Sequence, residues 1–289
     1  MPTRPLGDAD LEMLAAAAGV SAPAGALRAD PALVASLLGR AEVHRALFGA
    51  GGSADLDPRL FASPYLVFSV LVHRVAAELA DEAFVEEWLG PGQVVPVFDV
   101  AALRELLADA GRRAFLAELL ASYTRVASGS VWQRTPRGWR RRRYSDLDPV
   151  QLADLLELVP AAQRPGVCRR LGDLALFLSG VFPEHAASHP LQPRELDRIR
   201  RLLDTTGLDA PLAAPEELAT AGGPRRGIWL LEWVGRRAYR LAARASSVPD
   251  PELVAIAEAF GRARRVLNVL TGRHLYPTRE RWFPGRSEG

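Results

Sequence analysis

The sequence predicts an all-α fold, about ten helices in an irregular bundle with one short basic β-hairpin near residues 130–145. Three observations carry this expectation. Apolar residues recur at three- and four-residue spacing in most segments, and alanine and leucine, both strong helix formers, dominate them. Four Asp-Pro pairs (Asp30-Pro31, Asp57-Pro58, Asp148-Pro149 and Asp250-Pro251) each precede an apolar-periodic stretch. Aspartate accepts hydrogen bonds from the free N–H groups of a first turn, and proline just inside a helix has no N–H to leave unpaired. Finally, "SVWQRTPRGWRRRRYS", residues 130–145, sets a turn-prone "PRG" between two strand-length runs.

Taken in order, helices are expected at about 8–18, 31–48, 65–80, 99–109, 112–127, 149–158, 165–181, 193–205, 226–245 and 251–271. The first is followed by the helix that Asp30-Pro31 starts. "GAGGSADLDP", 49–58, breaks the pattern, and Pro64 separates a short helical turn at 58–62 from the apolar helix after it. "GPGQVVP", 90–96, is a second break. Asp148-Pro149 and Asp250-Pro251 open two of the later helices. "FPEHAASHPLQP", bracketed by Pro183 and Pro190, reads as a loop, and "APLAAPEELATAGGPRRG", 210–227, as a mobile surface loop. Residues 1–276 read as a single helical domain with room for two packed halves, 1–128 and 146–276, joined by the hairpin; 277–289 reads as a tail ending in disordered "RSEG".

Composition narrows the function classes. The chain has 289 residues, 48% hydrophobic and 24% charged, enough for a large core in a soluble protein. The longest apolar runs, Tyr65–Val72 and Leu174–Phe182, fall short of the roughly 18 residues of a membrane span. The N-terminus lacks the apolar core of a signal peptide, and a single cysteine, Cys168, excludes an intramolecular disulfide and a multi-cysteine metal site. A cytoplasmic location is therefore expected. All 36 basic residues are arginine, there is one asparagine, and the net charge is +2. Such usage is that of a GC-rich genome, and it makes arginine the default surface cation.

Against that background the hairpin still stands out, with six arginines within the ten positions 134–143. Its candidate binding surface is Trp132, Arg134, Arg137, Trp139, Arg140, Arg141, Arg142 and Arg143. Alternation puts Trp139, Arg141 and Arg143 on one face and Arg140, Arg142 and Tyr144 on the other. A lone ribbon is marginal, so one face should lean on the helices through Val131, Trp132 or Trp139. Arginine and tryptophan are favoured interface anchors, which suits an acidic protein partner. Clustered arginines with aromatic faces also suit nucleic acid, but the near-neutral chain ranks that partner second. The bland reading is a solvated edge protected from aggregation by charge.

A second candidate lies between two apolar helices. "RRLGDLALFLSGVFPEH", 169–185, carries Asp173 among apolar residues, with Gly172 and Gly180 allowing close approach. "GIWLLEWVGRRAYRLAARA", 227–245, carries Glu232 with Arg236 and Arg237 one turn on. Arg170, Asp173, Glu232, Arg237 and Tyr239 could form a polar cluster, either a structural ion pair or an arginine clamp for an anionic small molecule. The "LGDLALFLSGVFP", "WVGRRAYRLA" and "AFGRARRVLNVLTGRHLYP" segments resemble uncharacterised bacterial helical proteins over about the last 120 residues. The resemblance implies a shared fold and no activity.

Other motifs carry less. His185 and His189 are four apart beside Glu184, but in an expected loop; with His44, His73 and His274 they make no metal motif, and His73 reads as a hydrogen-bonded core residue. "DEAFVEE", 81–87, is similar to a terpene-cyclase diphosphate motif but lacks the second, asparagine-containing motif, so it reads as a solvated acidic helix end. Cys168, near Arg164, Arg169 and Arg170, reads as a buried inert thiol. No phosphate loop, nucleophile elbow or dinucleotide fingerprint occurs, and no cofactor or metal is expected. The leading expectation is a non-enzymatic interaction or regulatory protein that uses the hairpin. The alternative is a helical enzyme or binding protein for an anionic small molecule held between the Phe177 and Trp233 helices.

Overall fold

The computed structural model describes residues 6–48, 62–90, 92–126, 128–135, 138–205, 225–246 and 250–283. Within them the expected helix starts are made as the chemistry dictates. Asp30 accepts from the Leu33 N–H at 2.9 Å, Asp148 from Val150 at 2.9 Å and Gln151 at 3.0 Å, and Asp250 from Leu253 at 3.1 Å. Asp57-Pro58, most of the turn expected at 58–62, residues 210–224 of the expected loop and the final "RSEG" lie outside the described residues.

Of four short helices, α1 (Asp8–Ala17), α2 (Ala24–Ala29), α3 (Pro31–Leu38) and α4 (Ala41–Phe48), the last two pack on α5 (Pro64–Glu78), and α1 and α2 pack on one another and on α3, α1 also on α4. A hairpin of β1 (Val85–Gly90) and β2 (Gln93–Val97) leads into α6 (Val100–Ala108) and α7 (Ala110–Ser122). The basic hairpin pairs β3 (Ser128–Thr135) with β4 (Gly138–Ser145). Then come α8 (Pro149–Leu158), α9 (Arg164–Val181), α10 (Pro183–Ser188), α11 (Pro193–Asp204), α12 (Arg225–Ala245), α13 (Pro251–Glu258), α14 (Phe260–Leu270) and α15 (Arg279–Trp282), with a π-helical turn at Thr271–Leu275. The fold is mostly α, as predicted. Among the described residues no helix is long and apolar enough to cross a membrane.

Several expectations need correcting. The helices expected at 31–48 and 251–271 are each two, broken after Leu38 and at Ala259. "FPEHAASHP" contains helix α10, started by Pro183, and Arg225–Gly227 belong to the first turn of α12 rather than to a loop. Within "GPGQVVP", Gly90 ends the first strand and Gln93 begins the second strand of an unexpected hairpin, in register Val85↔Val97 and Glu87↔Val95. "DEAFVEE" is therefore the entry to a strand, and its Glu87 is buried at 4% exposure instead of solvated. The tail expected from 277 packs instead: Trp282 and Phe283 are buried, with the Phe283 ring stacked 5.7 Å from Phe68.

One contiguous hydrophobic core runs from Leu11 to Phe283 and joins the segments before and after β3–β4. At its centre α9 crosses α12 closely, because glycine removes a side chain at the contact. A methyl group on Gly172 would overlap the Tyr239 ring; one on Gly235 would meet the Phe260 ring and come within 2.9 Å of the Ala175 Cβ. Tyr123 stacks on Phe177 at 4.1 Å in the same layer. Cys168 is buried, and burial pushes its thiol up to about 12, which makes it inert. His73 is hydrogen-bonded, its Nδ1 2.8 Å from the Ser69 carbonyl while Nε2 accepts from Arg113 Nε at 3.2 Å. Burial holds it neutral, with its pKa down to about 4.

The Gly172→Ala variant should lose about 2 kcal/mol, because its Cβ must push the Tyr239 ring and part α9 from α12. Urea denaturation measures this; unchanged stability would show that the two helices tolerate a wider spacing.

Candidate functional site

Along α12, residues 229, 232, 233, 236, 237 and 240 recur at three- and four-residue steps and so form one stripe. The stripe carries Trp229, Glu232, Trp233, Arg236, Arg237 and Arg240, while the opposite side buries Ile228, Val234, Ala238 and Leu241. The stripe forms one wall of a cleft of about 790 Å³. Ala255 and Glu258 of α13 and Arg262, Arg264 and Arg265 of α14 form the other wall, with Glu105 and Arg112 contributed by α6 and α7. Seven guanidinium groups thus face three carboxylates.

The floor of this cleft has unusual electrostatics. Arg237 and Arg264 are each only 3% exposed. Arg237 Nη2 donates to Asp204, but its Nε and Nη1 have no hydrogen-bond partner among the described residues. Arg264 Nη2 donates to Glu87, and its Nε lies 3.7 Å from Glu232 Oε2, beyond hydrogen-bond reach; Nη1 is also unpartnered. Trp233 Nε1, in the same floor, lacks an acceptor as well. Buried donors are almost always paired, and each one left unpaired costs about 1–3 kcal/mol. Five such nitrogens belong to residues that line one cleft, and Arg112 Nε there makes a sixth.

Glu87 anchors the far side of the floor. It accepts from Arg264 and, at 3.0 Å, from Arg265 Nε. Burial alone would raise its carboxyl pKa, but the two guanidinium groups outweigh that and hold it below its ordinary value. Asn268 stitches the same strand to α14, its Oδ1 accepting from the Trp88 N–H at 2.8 Å.

The five residues expected to form one polar cluster are divided between two places. Tyr239 donates to Asp173 Oδ1 at 2.8 Å in the α9–α12 contact, beside Arg170, which pairs with Asp146 at 3.0 Å and Ser122 Oγ at 2.8 Å. Burial raises the Asp173 carboxyl, against the pull of Arg169, and raises the Tyr239 hydroxyl further. Glu232 and Arg237 belong to the arginine cleft instead. Side chains two apart on a helix project about 200° from one another, so Arg237 and Tyr239 face different neighbours. Glu232 and Tyr239 share a side but sit about two turns apart, roughly 10 Å.

On the basic hairpin, the register Ser130↔Arg143, Trp132↔Arg141 and Arg134↔Trp139 puts both tryptophans and Arg134, Arg141 and Arg143 on one face. Of Val131, Trp132 and Trp139, through which the ribbon was expected to lean on the helices, the two tryptophans do not: they are 61% and 68% exposed, whereas Val131 is half-buried. The ribbon is held at its base, where β4 packs on α8 and the Tyr144 ring covers Gly129. Arg140 and Arg142 lie in β4, and Arg137 lies outside the described residues. His185 and His189 stack at 4.6 Å, and among the described residues no group of three His, Cys, Asp or Glu could hold a metal ion. Comparison with protein-family models, curated proteins and solved structures returned no match for the chain.

Trp229, Trp233, Arg264, Arg265, Arg112 and Glu87 were not singled out by the sequence. One signal was present. Phe260, Ala263, Arg264, Leu267, Asn268 and Thr271 follow the three-four spacing of a core face, so Arg264 and Asn268 occupy apolar positions.

Glu87→Gln should cost about 3 kcal/mol by leaving Arg264 buried without its counter-charge. The pH dependence follows from the lowered Glu87 pKa. The folded state binds this proton less readily than the unfolded chain, so the pair's contribution is complete above the ordinary value of 4.5 and is lost as pH falls below it. Melting temperatures from pH 7 to 3 should therefore converge for the two proteins at the acid end; a constant gap would refute the pairing.

Proposed function

We propose that the protein is a cytoplasmic binding protein for a small anion, held in the cleft between α12 and the α13–α14 pair. The observation that supports this reading is the pair of buried guanidinium groups, Arg237 and Arg264, whose Nε and Nη1 donors lack partners among the described residues. Arginine supplies a planar fork that binds phosphate or carboxylate oxygens two at a time. The surplus of guanidinium over carboxylate on the walls makes an anion the natural occupant. Glu87 and Asp204, behind the wall, hold the forks in place without filling the cleft. The reading assigns binding and no catalysis, since nothing among the cleft residues pairs a nucleophile with a base.

Calorimetric titration with sodium pyrophosphate tests it. Binding should be detectable at low salt, weaken as salt rises, and fall by about tenfold or more in Arg237→Met, which removes charge-assisted hydrogen bonds while leaving half-exposed Asp204 in water. Absence of binding, or binding indifferent to Arg237→Met, would overturn the reading.

A second reading is favoured by the exposure of Trp132 and Trp139 beside Arg134, Arg141 and Arg143 on one ribbon face. Such a face suits an acidic protein partner. The double variant Arg141→Glu/Arg143→Glu should lower affinity for poly-L-glutamate by about tenfold or more and leave pyrophosphate binding unchanged. Tighter binding to single-stranded DNA than to poly-L-glutamate would transfer this surface to nucleic acid.

A further inference from the structure

Resting on the anion-binding reading of the cleft, we infer that its occupant is a phosphate ester carrying a planar aromatic ring, with the phosphate on the arginine floor and the ring against Trp229. The number of donors selects phosphate. Unpartnered nitrogens of Arg237, Arg264 and Trp233 number five, and a carboxylate offers only two oxygens with about four lone-pair directions. The terminal phosphate of a monoester offers three acceptor oxygens and close to two negative charges at neutral pH. Two guanidinium forks approaching from different helices, with the Trp233 indole N–H one turn before Arg237 on α12, match a tetrahedral group better than a flat one.

The size and the rim select the remainder. A cleft of about 790 Å³ is far larger than a phosphate and falls within the roughly 300–1,000 Å³ typical of organic ligands. Burial decreases outward along α12. Trp233 and Arg237 are buried, whereas Trp229, one turn before Trp233 and about 6 Å along the axis, is 38% exposed although it lines the cleft. The opposite wall includes the small side chains of Ala255 in α13 and Ala259 at its junction with α14, beside Glu258. An indole with an uncovered face and small residues opposite leave a slot in which a flat ring can stack, and stacking on tryptophan is indifferent to the identity of a base. The rim arginines Arg236 and Arg262 face Glu232 at 4.0 Å and Glu105 at 3.9 Å, and on the floor Arg264 and Arg265 share the one carboxylate of Glu87. A ligand with a phosphate at one end and a ring at the other fits the floor donors and the exposed Trp229.

Calorimetric titrations with AMP, UMP, ribose 5-phosphate and adenosine test the inference. AMP and UMP should both bind about tenfold or more tightly than ribose 5-phosphate, and adenosine should bind weakly or not at all. Trp229→Leu should bring AMP down to the affinity of ribose 5-phosphate and leave ribose 5-phosphate itself unchanged; Trp229→Phe, which keeps a ring, should retain most of the preference. Equal binding of AMP and ribose 5-phosphate by the unaltered protein overturns the aromatic part, and so does AMP binding that is indifferent to Trp229→Leu. If pyrophosphate binds through Arg237 while AMP and UMP do not, this inference fails and the anion site stands. If pyrophosphate and all four compounds fail to bind, both fail together.

Discussion

The crossing of α9 over α12 is the constraint on which the rest of the molecule depends. Gly172 and Gly235 let the two backbones approach until Tyr239 and Phe260 fill the space that side chains would have taken. With one side of α12 committed to α9, its stripe from Trp229 to Arg240 turns toward α13 and α14 and becomes a wall. The Tyr239–Asp173 hydrogen bond sits inside the crossing and satisfies a carboxyl that burial tends to keep protonated. Helix packing thus produces the cleft as a consequence of where two glycines fall.

Charge burial is the second organising element. A guanidinium as deeply enclosed as Arg264 is unfavourable unless it is paired. The partner comes from far away in sequence: Glu87, on a strand of the first hairpin, holds Arg264 and Arg265 together. Asn268 joins the same strand to α14 through the Trp88 backbone. The hairpin β1–β2 is therefore a brace for the cleft floor. Its Glu87 supplies the counter-charge that makes the burial of Arg264 tolerable.

The basic ribbon β3–β4 obeys different rules. Its tryptophans contribute nothing to the core, and Arg134, Arg141 and Arg143 lie in solvent where their fields are screened within about 8–10 Å. It shares no residue with the arginine cleft, so the two surfaces can be altered independently.

Much of this was legible along the chain, because the forces involved are local. Asp-Pro pairs set helix starts through hydrogen bonds spanning two or three residues, and apolar periodicity reports a buried face whatever covers it. The turn-flanked arginine run forms the expected ribbon for the same reason. Helix breaks at Gly39 and Ala259 were hidden, since both flanks keep helical periodicity across them. The strand at Val85–Gly90 was hidden because its buried Glu87 imitates a solvated residue. Asp173 and Tyr239 were correctly brought together, yet Glu232 and Arg237 were not, because which side of α12 meets α9 depends on glycine contacts rather than on spacing. By itself the sequence determined the helical class, the capped starts and the exposed cationic ribbon, all products of interactions within a few residues. Only the tertiary structure decided that Arg237, Arg264 and Glu87 meet around one cleft, since the charge pairing that makes such burial tolerable spans up to 177 residues of chain.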